Sequence, residues 1–424
     1  MNKKYYLYFV GGLLAVTAVT SAFLTNSIFM GNSLNKVNLN SFFLEEQSHN
    51  YDLNELISPV NYSKIPDSKT AYYPAANSKS MAILIPQTHK YPGSNSSDAS
   101  NNSATIAQEQ IYEIVSHLQT NYGINLVMVE GDLKGIVPEQ KIDDIKNKIQ
   151  LKEKFSKAVS AIKENDNGKI NSSFYTLSQK LIGLIERDVI LAGAPLKLMA
   201  EGKKLAIFGA EDLPLQNQSA EIVRDSIYLQ DRLAQMQNNG INRSATNPGT
   251  NITQLRESLV KTLLQKLSKT NFNNNVQKTE GFNASSLKSE LTLVKFVSNK
   301  DEKLSPLVEE AANIYGEIAE AYNSTKIDTT TMPSRANNPY MTVTDSSKIQ
   351  GLIKKNNEKL QDIVVDKRNT EAAKYFAELL KSQKQTAGVI TFGSYHEEGL
   401  IKELNELGIS VLTITPNEVT QRSA

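Results

Sequence analysis

Met81-Ala82-Ile83-Leu84-Ile85, the helical spacing Ile111, Ile114, Val115 and Leu118, and Leu126-Val127-Met128-Val129 follow one another in the chain, and together they decide the fold. The first and last are short continuous apolar runs, the pattern of strands buried on both faces. The middle stretch repeats at i, i+3, i+4 and i+7, which places its apolar side chains on one face of a helix. Gly123 supplies the residue type that ends helices in a left-handed turn. Strand, helix, strand is a βαβ unit, and such units cross over right-handed into a parallel sheet.

Outward from this unit the same pattern recurs at the C-terminus. Ala372, Tyr375, Phe376, Leu379 and Leu380 mark one helix face, and Gly388-Val389-Ile390-Thr391-Phe392 reads as a strand. Leu400, Ile401, Leu404 and Leu407 mark a second helix closed by Gly408, and Ile409 to Ile414 reads as a last strand stopped by Pro416. A further strand falls midway, at Leu205-Ala206-Ile207-Phe208. The fold class is therefore α/β, a mostly parallel central sheet flanked by helices. Long helical insertions, over about 135–203 and 215–365, separate the strands; a separate helical domain is the alternative reading. Residues 25–79 show little periodicity and read as a linker and irregular lead-in to a domain spanning 80–424.

The chain of 424 residues carries 46 basic and 45 acidic side chains, so it lacks the basic excess that binds nucleic acid. It has no cysteine, which removes disulfides, Cys-based zinc sites and thiol nucleophiles together. Lys3 and Lys4 precede a run without charge from Tyr5 to Leu24, with small residues at Thr20, Ser21 and Ala22. Residues 1–24 thus read as a cleaved signal peptide or an N-terminal membrane anchor. Either way the rest of the chain is expected outside the cytoplasm, in the periplasm, extracellular or anchored to a membrane.

Four strands lead into distinctive polar groups: Pro86-Gln87-Thr88-His89, Glu130, Gly209-Ala210-Glu211-Asp212 and Gly393-Ser394-Tyr395-His396. In an open parallel sheet the carboxyl ends of the strands share one edge, and ligands bind in the crevice outside it. Topology alone would then gather His89, Glu130, Glu211 and His396. Two imidazoles with carboxylates suit a divalent metal such as Mn, Co, Fe or Zn, which would activate a bound water. Of four histidines in the chain, two hold these strand-end positions; His117 reads as a surface residue and His49 falls in the linker. Other chemistries lack their patterns. There is no P-loop and no dinucleotide fingerprint. No second histidine follows His396 at helical spacing, and no G-x-S-x-G elbow is present.

In this order the features resemble the TraB/PrgY/GumN family, which includes the Tiki proteases and has ChaN-like haem-uptake and erythromycin-esterase-like relatives. Its pattern runs G-x-x-H, a strand ending in Glu, G-x-E, an Arg-Asn pair before a helix, and a final G-x-x-H. Glu130, Gly209-Ala210-Glu211, Arg368-Asn369 ahead of a helix starting near Glu371, and Gly393-Ser394-Tyr395-His396 followed by Gly399 match it. Pro86 stands where the first motif has glycine, so the loop carrying His89 is expected to be displaced. The resemblance implies a metal-assisted hydrolase acting on a peptide or small molecule. His89, Glu130, Glu211 and His396 would hold the metal. Glu130 or Glu211 would act as general base, and Arg368 would fix a carboxylate or an oxyanion. Two alternatives stand beside it. One is a haem- or iron-binding protein without catalysis, with Tyr91 and Tyr395 as cofactor ligands. The other is an interaction protein on a degenerate hydrolase fold.

Overall fold

A computed structural model describes residues 65, 67–89, 101–241, 284–324 and 338–423. The N-terminal apolar segment, His49 and Tyr91 lie outside the described residues. Seven strands form one sheet: β1 (Ser68–Tyr73), β2 (Met81–Gln87), β3 (Leu126–Leu133), β4 (Gly135–Ile136), β5 (Ala206–Glu211), β6 (Ala387–Gly393) and β7 (Ser410–Pro416). Their order is β1-β7-β2-β6-β3-β5-β4. The five inner strands run parallel, and β1 and β4 close the two edges antiparallel. All five strands expected from apolar runs are present. Ser68–Tyr73 falls in the stretch read as lead-in, where its polar, partly exposed residues carry none of the apolar signal of a buried strand.

Period-two alternation sends neighbouring side chains to opposite faces of the sheet. Ile83, Ile85, Val127, Val129 and Val389 face one side, against Ile111, Ile114, Val115 and Leu118 of α1 (Asn102–Tyr122). Ala82, Leu84, Leu126, Met128, Ile390 and Phe392 face the other. There they meet α9 (Arg368–Ser382) and α10 (Glu397–Glu406) through Ala372, Phe376, Leu380, Leu400 and Leu404. Both faces are covered, as a parallel sheet requires. At the end of α1, Gly123 takes φ 67° and donates its N–H to the Gln119 carbonyl while Ile124 N–H donates to the Leu118 carbonyl, the left-handed cap its sequence position predicts.

The insertions are helical. α2 (Glu139–Asn165), α3 (Ser172–Leu191) and α4 (Ala194–Ala200) precede β5; α5 (Leu213–Ile241), α6 (Ala284–Ser298), α7 (Leu304–Ser324) and α8 (Ser346–Lys359) follow it. α2, α3, α6 and α7 extend the hydrophobic core on the α1 side. α8 packs on α5 and runs into a π-helical segment, Leu360–Lys367, which leads directly into α9. Arg368 is thus the first residue of α9, three residues before the start expected from sequence. A π turn carries an extra residue and re-aims the side chains after it, and such turns concentrate at functional sites. Among the described residues no helix is long and apolar enough to cross a membrane.

One irregularity shapes the carboxyl edge. Val129 pairs with Gly209 and Leu133 with Glu211, so β3 uses four steps where β5 uses two. The extra residues bulge over β5, and bulges of this kind re-aim side chains beside active sites. Gly131 absorbs the turn at φ 92°. A Cβ on Gly209 would lie 2.3–2.4 Å from backbone atoms of Asp132 and Leu133, so the glycine of the G-x-E motif is needed for space. Lys141 of α2 pins the bulge with two 2.8 Å hydrogen bonds to Asp132.

Gly209→Ala is expected to destabilise the fold by about 1–3 kcal/mol or more, because backbone must move. Gly183→Ala, on α3 with nothing among the described residues within 4 Å of the added carbon, is expected to stabilise it by about 0.5–1 kcal/mol. Urea unfolding of the two variants against the parent checks both signs.

Candidate functional site

The carboxyl edge brings together every sequence-predicted residue that lies in the described part of the chain, except Tyr395, which stands beside the cluster. His89 lies two residues beyond the end of β2, Glu130 in the bulged part of β3 and Glu211 at the end of β5. His396 sits in a 3-10 turn, Ser394–His396, that joins β6 to α10. Arg368 and Asn369 enter from the first turn of α9. Pro86 does not displace His89. It pairs with Phe392 of β6, beyond Leu84, the last β2 residue paired with β7. There one flank of β2 no longer needs a ladder donor, a strand position proline tolerates.

Arg368 is the centre. Its Nη2 donates to Glu130 Oε1 at 2.8 Å and to Glu211 Oε1 at 2.5 Å, and its Nε donates to Glu211 Oε2 at 3.2 Å. Two backbone N–H groups complete the carboxylates: Gly393 donates to Glu130 Oε2 at 2.6 Å, and Gly131 donates to Glu211 Oε1 at 3.2 Å. Each of the four carboxylate oxygens therefore has a nitrogen partner. The side chains of Arg368, Glu130 and Glu211 are 3%, 1% and 4% exposed, so water contributes almost nothing to their solvation. Such a triad persists only when its hydrogen bonds replace the lost water. Burial alone would lower the Arg368 pKa, but the charges of Glu211 and Glu130 outweigh it and raise it. Burial would raise the Glu130 carboxyl; the opposing charges of His89 and Arg368 outweigh it and hold the group well below the usual carboxylate range.

The two histidines differ. His396 is buried, and its Nδ1–H donates to Asn369 Oδ1 at 2.7 Å. That leaves Nε2 with its lone pair, 3.5 Å from Arg368 Nη1 and 3.8 Å from Glu130 Oε1. Burial, reinforced by the Arg368 charge, pushes its pKa down to about 3, so the ring is neutral at physiological pH. Phe392 forms the floor, edge-on to the His396 ring at 5.1 Å and 5.7 Å below the guanidinium carbon. His89 is the accessible member, 18% exposed, with Nε2 buried 2.9 Å from Glu130 Oε2. The contact has hydrogen-bond length without hydrogen-bond alignment, and among the described residues Nε2 has no other partner. A Cβ on Gly393 would come within 2.9 Å of this Nε2, which explains the glycine of the last motif.

Asn369 is the residue whose role the sequence did not disclose. Its motif position was legible, but its bond to His396 was not. Gly399, one turn into α10, admits it: a Cβ there would stand 2.0 Å from Asn369 Nδ2. Tyr395 places its hydroxyl 3.3 Å from Gln361 Oε1 of the π segment, and its ring stands edge-on to His396. At the rim, Lys134 Nζ lies 3.2 Å from Glu371 and 3.9 Å from Asp212, a partly exposed group worth little to stability.

As arranged, the four expected metal ligands do not fit a divalent ion. Arg368 already takes up Glu130 Oε1 and both oxygens of Glu211, and it stands beside the free nitrogen of His396. Like charges 4 Å apart repel by about 4 kcal/mol per unit pair near a protein surface, and a dication would meet twice that. Among the described residues no three His, Asp or Glu side chains are grouped as ligands. Comparison with protein-family models, with curated proteins and with solved structures finds no match in any of the three.

The depressed His396 pKa has a definite sign for stability. The folded ring refuses a proton that the unfolded ring accepts below about 6.5, so stability is full above that value and falls as pH drops toward 3. Glu130, depressed from the carboxylate value, adds a loss only below about 4.5. The slope of unfolding free energy between pH 6.5 and 4.5 is therefore expected to flatten in His396→Gln, as read by urea unfolding at several pH values. His117, lowered by burial, contributes the same sign and stays common to both proteins.

Proposed function

We propose that this protein is a hydrolase of peptide or ester bonds whose general base is His89, oriented by Glu130. The contact between His89 Nε2 and Glu130 Oε2 at 2.9 Å carries this reading. An imidazole backed by a buried carboxylate is the pair that takes a proton from water and holds the resulting positive charge. Poor alignment in the free state is common for such pairs and tightens on substrate binding. With Nε2 turned to Glu130, Nδ1 is the atom left to act. It takes a proton from water as the oxygen attacks the carbonyl carbon, then returns that proton to the leaving amine or alkoxide. Glu130 stays ionised throughout, because Arg368 and the Gly393 N–H already satisfy its oxygens.

Burial supports the division of labour. Arg368, Glu130, Glu211 and His396 are sealed, so they build the site; His89 alone among the five is reachable by substrate. The run Tyr5–Leu24 behind Lys3 and Lys4 supports placing this chemistry outside the cytoplasm.

The test is turnover of a panel of short peptides and carboxylic esters by the full-length chain, with chelator present. His89→Gln is expected to lower turnover by roughly 10²–10⁴-fold while the melting temperature stays close to the parent's. Equal turnover in parent and variant would sink the reading, as would no turnover of any panel member. Turnover that chelator abolishes would move the chemistry to a metal.

A further inference from the structure

We infer that Arg368 is the resident cation of this site: its guanidinium fills the position among Glu130, Glu211 and His396 that a divalent ion would otherwise occupy, and the site is complete without one. The inference goes beyond the hydrolytic reading and does not need it.

The residue types around the guanidinium are ones that also serve as metal ligands. Two carboxylates and one imidazole nitrogen converge, and a second imidazole nitrogen, His89 Nε2, touches Glu130 without a hydrogen bond. The surroundings are also of that kind. A histidine that ligates a metal gives its other N–H to an acceptor that fixes its tautomer and orientation. His396 does so through Nδ1–H to Asn369 Oδ1 at 2.7 Å. The cation these groups surround is the guanidinium. Its planar fork matches the paired oxygens of Glu211, with Nη2 shared to Glu130. A lysine ammonium could not span both carboxylates in this way. The remaining nitrogen, Nη1, lies against the His396 lone pair at 3.5 Å. Asn369 and His396 are thus positioning residues for Arg368.

Removing the guanidinium should turn the site into a metal site. Titration calorimetry with Zn²⁺ and with Mn²⁺ on the full-length chain is the experiment. The parent is expected to take up neither ion at this site. Arg368→Ala is expected to bind one ion per chain at least tenfold more tightly than the parent, and Arg368→Ala combined with His396→Ala is expected to lose that gain. A folded Arg368→Ala variant that binds no ion overturns the inference.

The parent alone decides the matter if Arg368→Ala fails to fold. With ¹⁵N-labelled histidine, His396 is expected to show a protonated Nδ1 and a bare Nε2. Its signals are expected to keep their position and width when stoichiometric Zn²⁺ or Mn²⁺ is added. A Zn²⁺ shift or Mn²⁺ broadening centred on His396, absent in His396→Gln, overturns it.

Discussion

A guanidinium held between two carboxylates, all three cut off from water, is the interaction on which the carboxyl edge depends. Taking such charges out of water costs several kcal/mol per ion, and only close geometry offsets it. Leaving one partner unmatched generally costs about 3–5 kcal/mol. Arg368, Glu130 and Glu211 meet that demand oxygen by oxygen, with Gly393 and Gly131 supplying the backbone donors that the guanidinium cannot reach. The demand then propagates outward. Glu130 and Glu211 must approach across the β3–β5 seam, so β3 bulges. The bulge lies on β5, so residue 209 has no side chain.

Gly209, Gly393 and Gly399 share this logic, and none of them is a turn residue by default. Gly209 yields to the bulge backbone, Gly393 to the His89 ring and Gly399 to the Asn369 amide. Each marks a place where a second element presses against the strand or helix that carries the motif. A G-x-E or G-x-x-H spacing therefore records a close approach: the glycine makes room and the polar residue two or three positions on reaches the cluster.

The strands and their order of use were legible because buried parallel strands are continuous apolar runs, as at Met81–Ile85 and Val389–Phe392. β1 was not, since an edge strand such as Ser68–Tyr73 faces solvent along much of its length and needs no apolar run. The four residues His89, Glu130, Glu211 and His396 were legible by position, since topology brings the carboxyl ends of parallel strands together; Arg368 was legible only through the family resemblance. What joins them was not. Two carboxylates and two imidazoles read alike whether they surround a metal or an arginine, and the arginine lies far away in sequence, on a helix. It directly follows a π segment, which leaves no periodic trace in the sequence. The proline that was expected to displace His89 had room, because β7 no longer pairs with β2 at that point.

Burial grades the site and so sets what each residue can do. His396 is sealed, neutral and tied at Nδ1, which suits a fixed acceptor and not a proton carrier. Glu211 has both oxygens engaged by Arg368 and cannot accept a proton without breaking the triad. Glu130 differs in one respect. Oε1 is bound to Arg368, while Oε2, which accepts from Gly393, also touches His89, so a single carboxylate joins the sealed triad to the partly exposed imidazole of the site. Any charge that develops on His89 is therefore felt by a carboxylate that cannot move away and cannot be protonated cheaply. Such a fixed dipole, set before a substrate arrives, is the condition under which electrostatics lowers a barrier, since nothing has to reorganise when the charge appears.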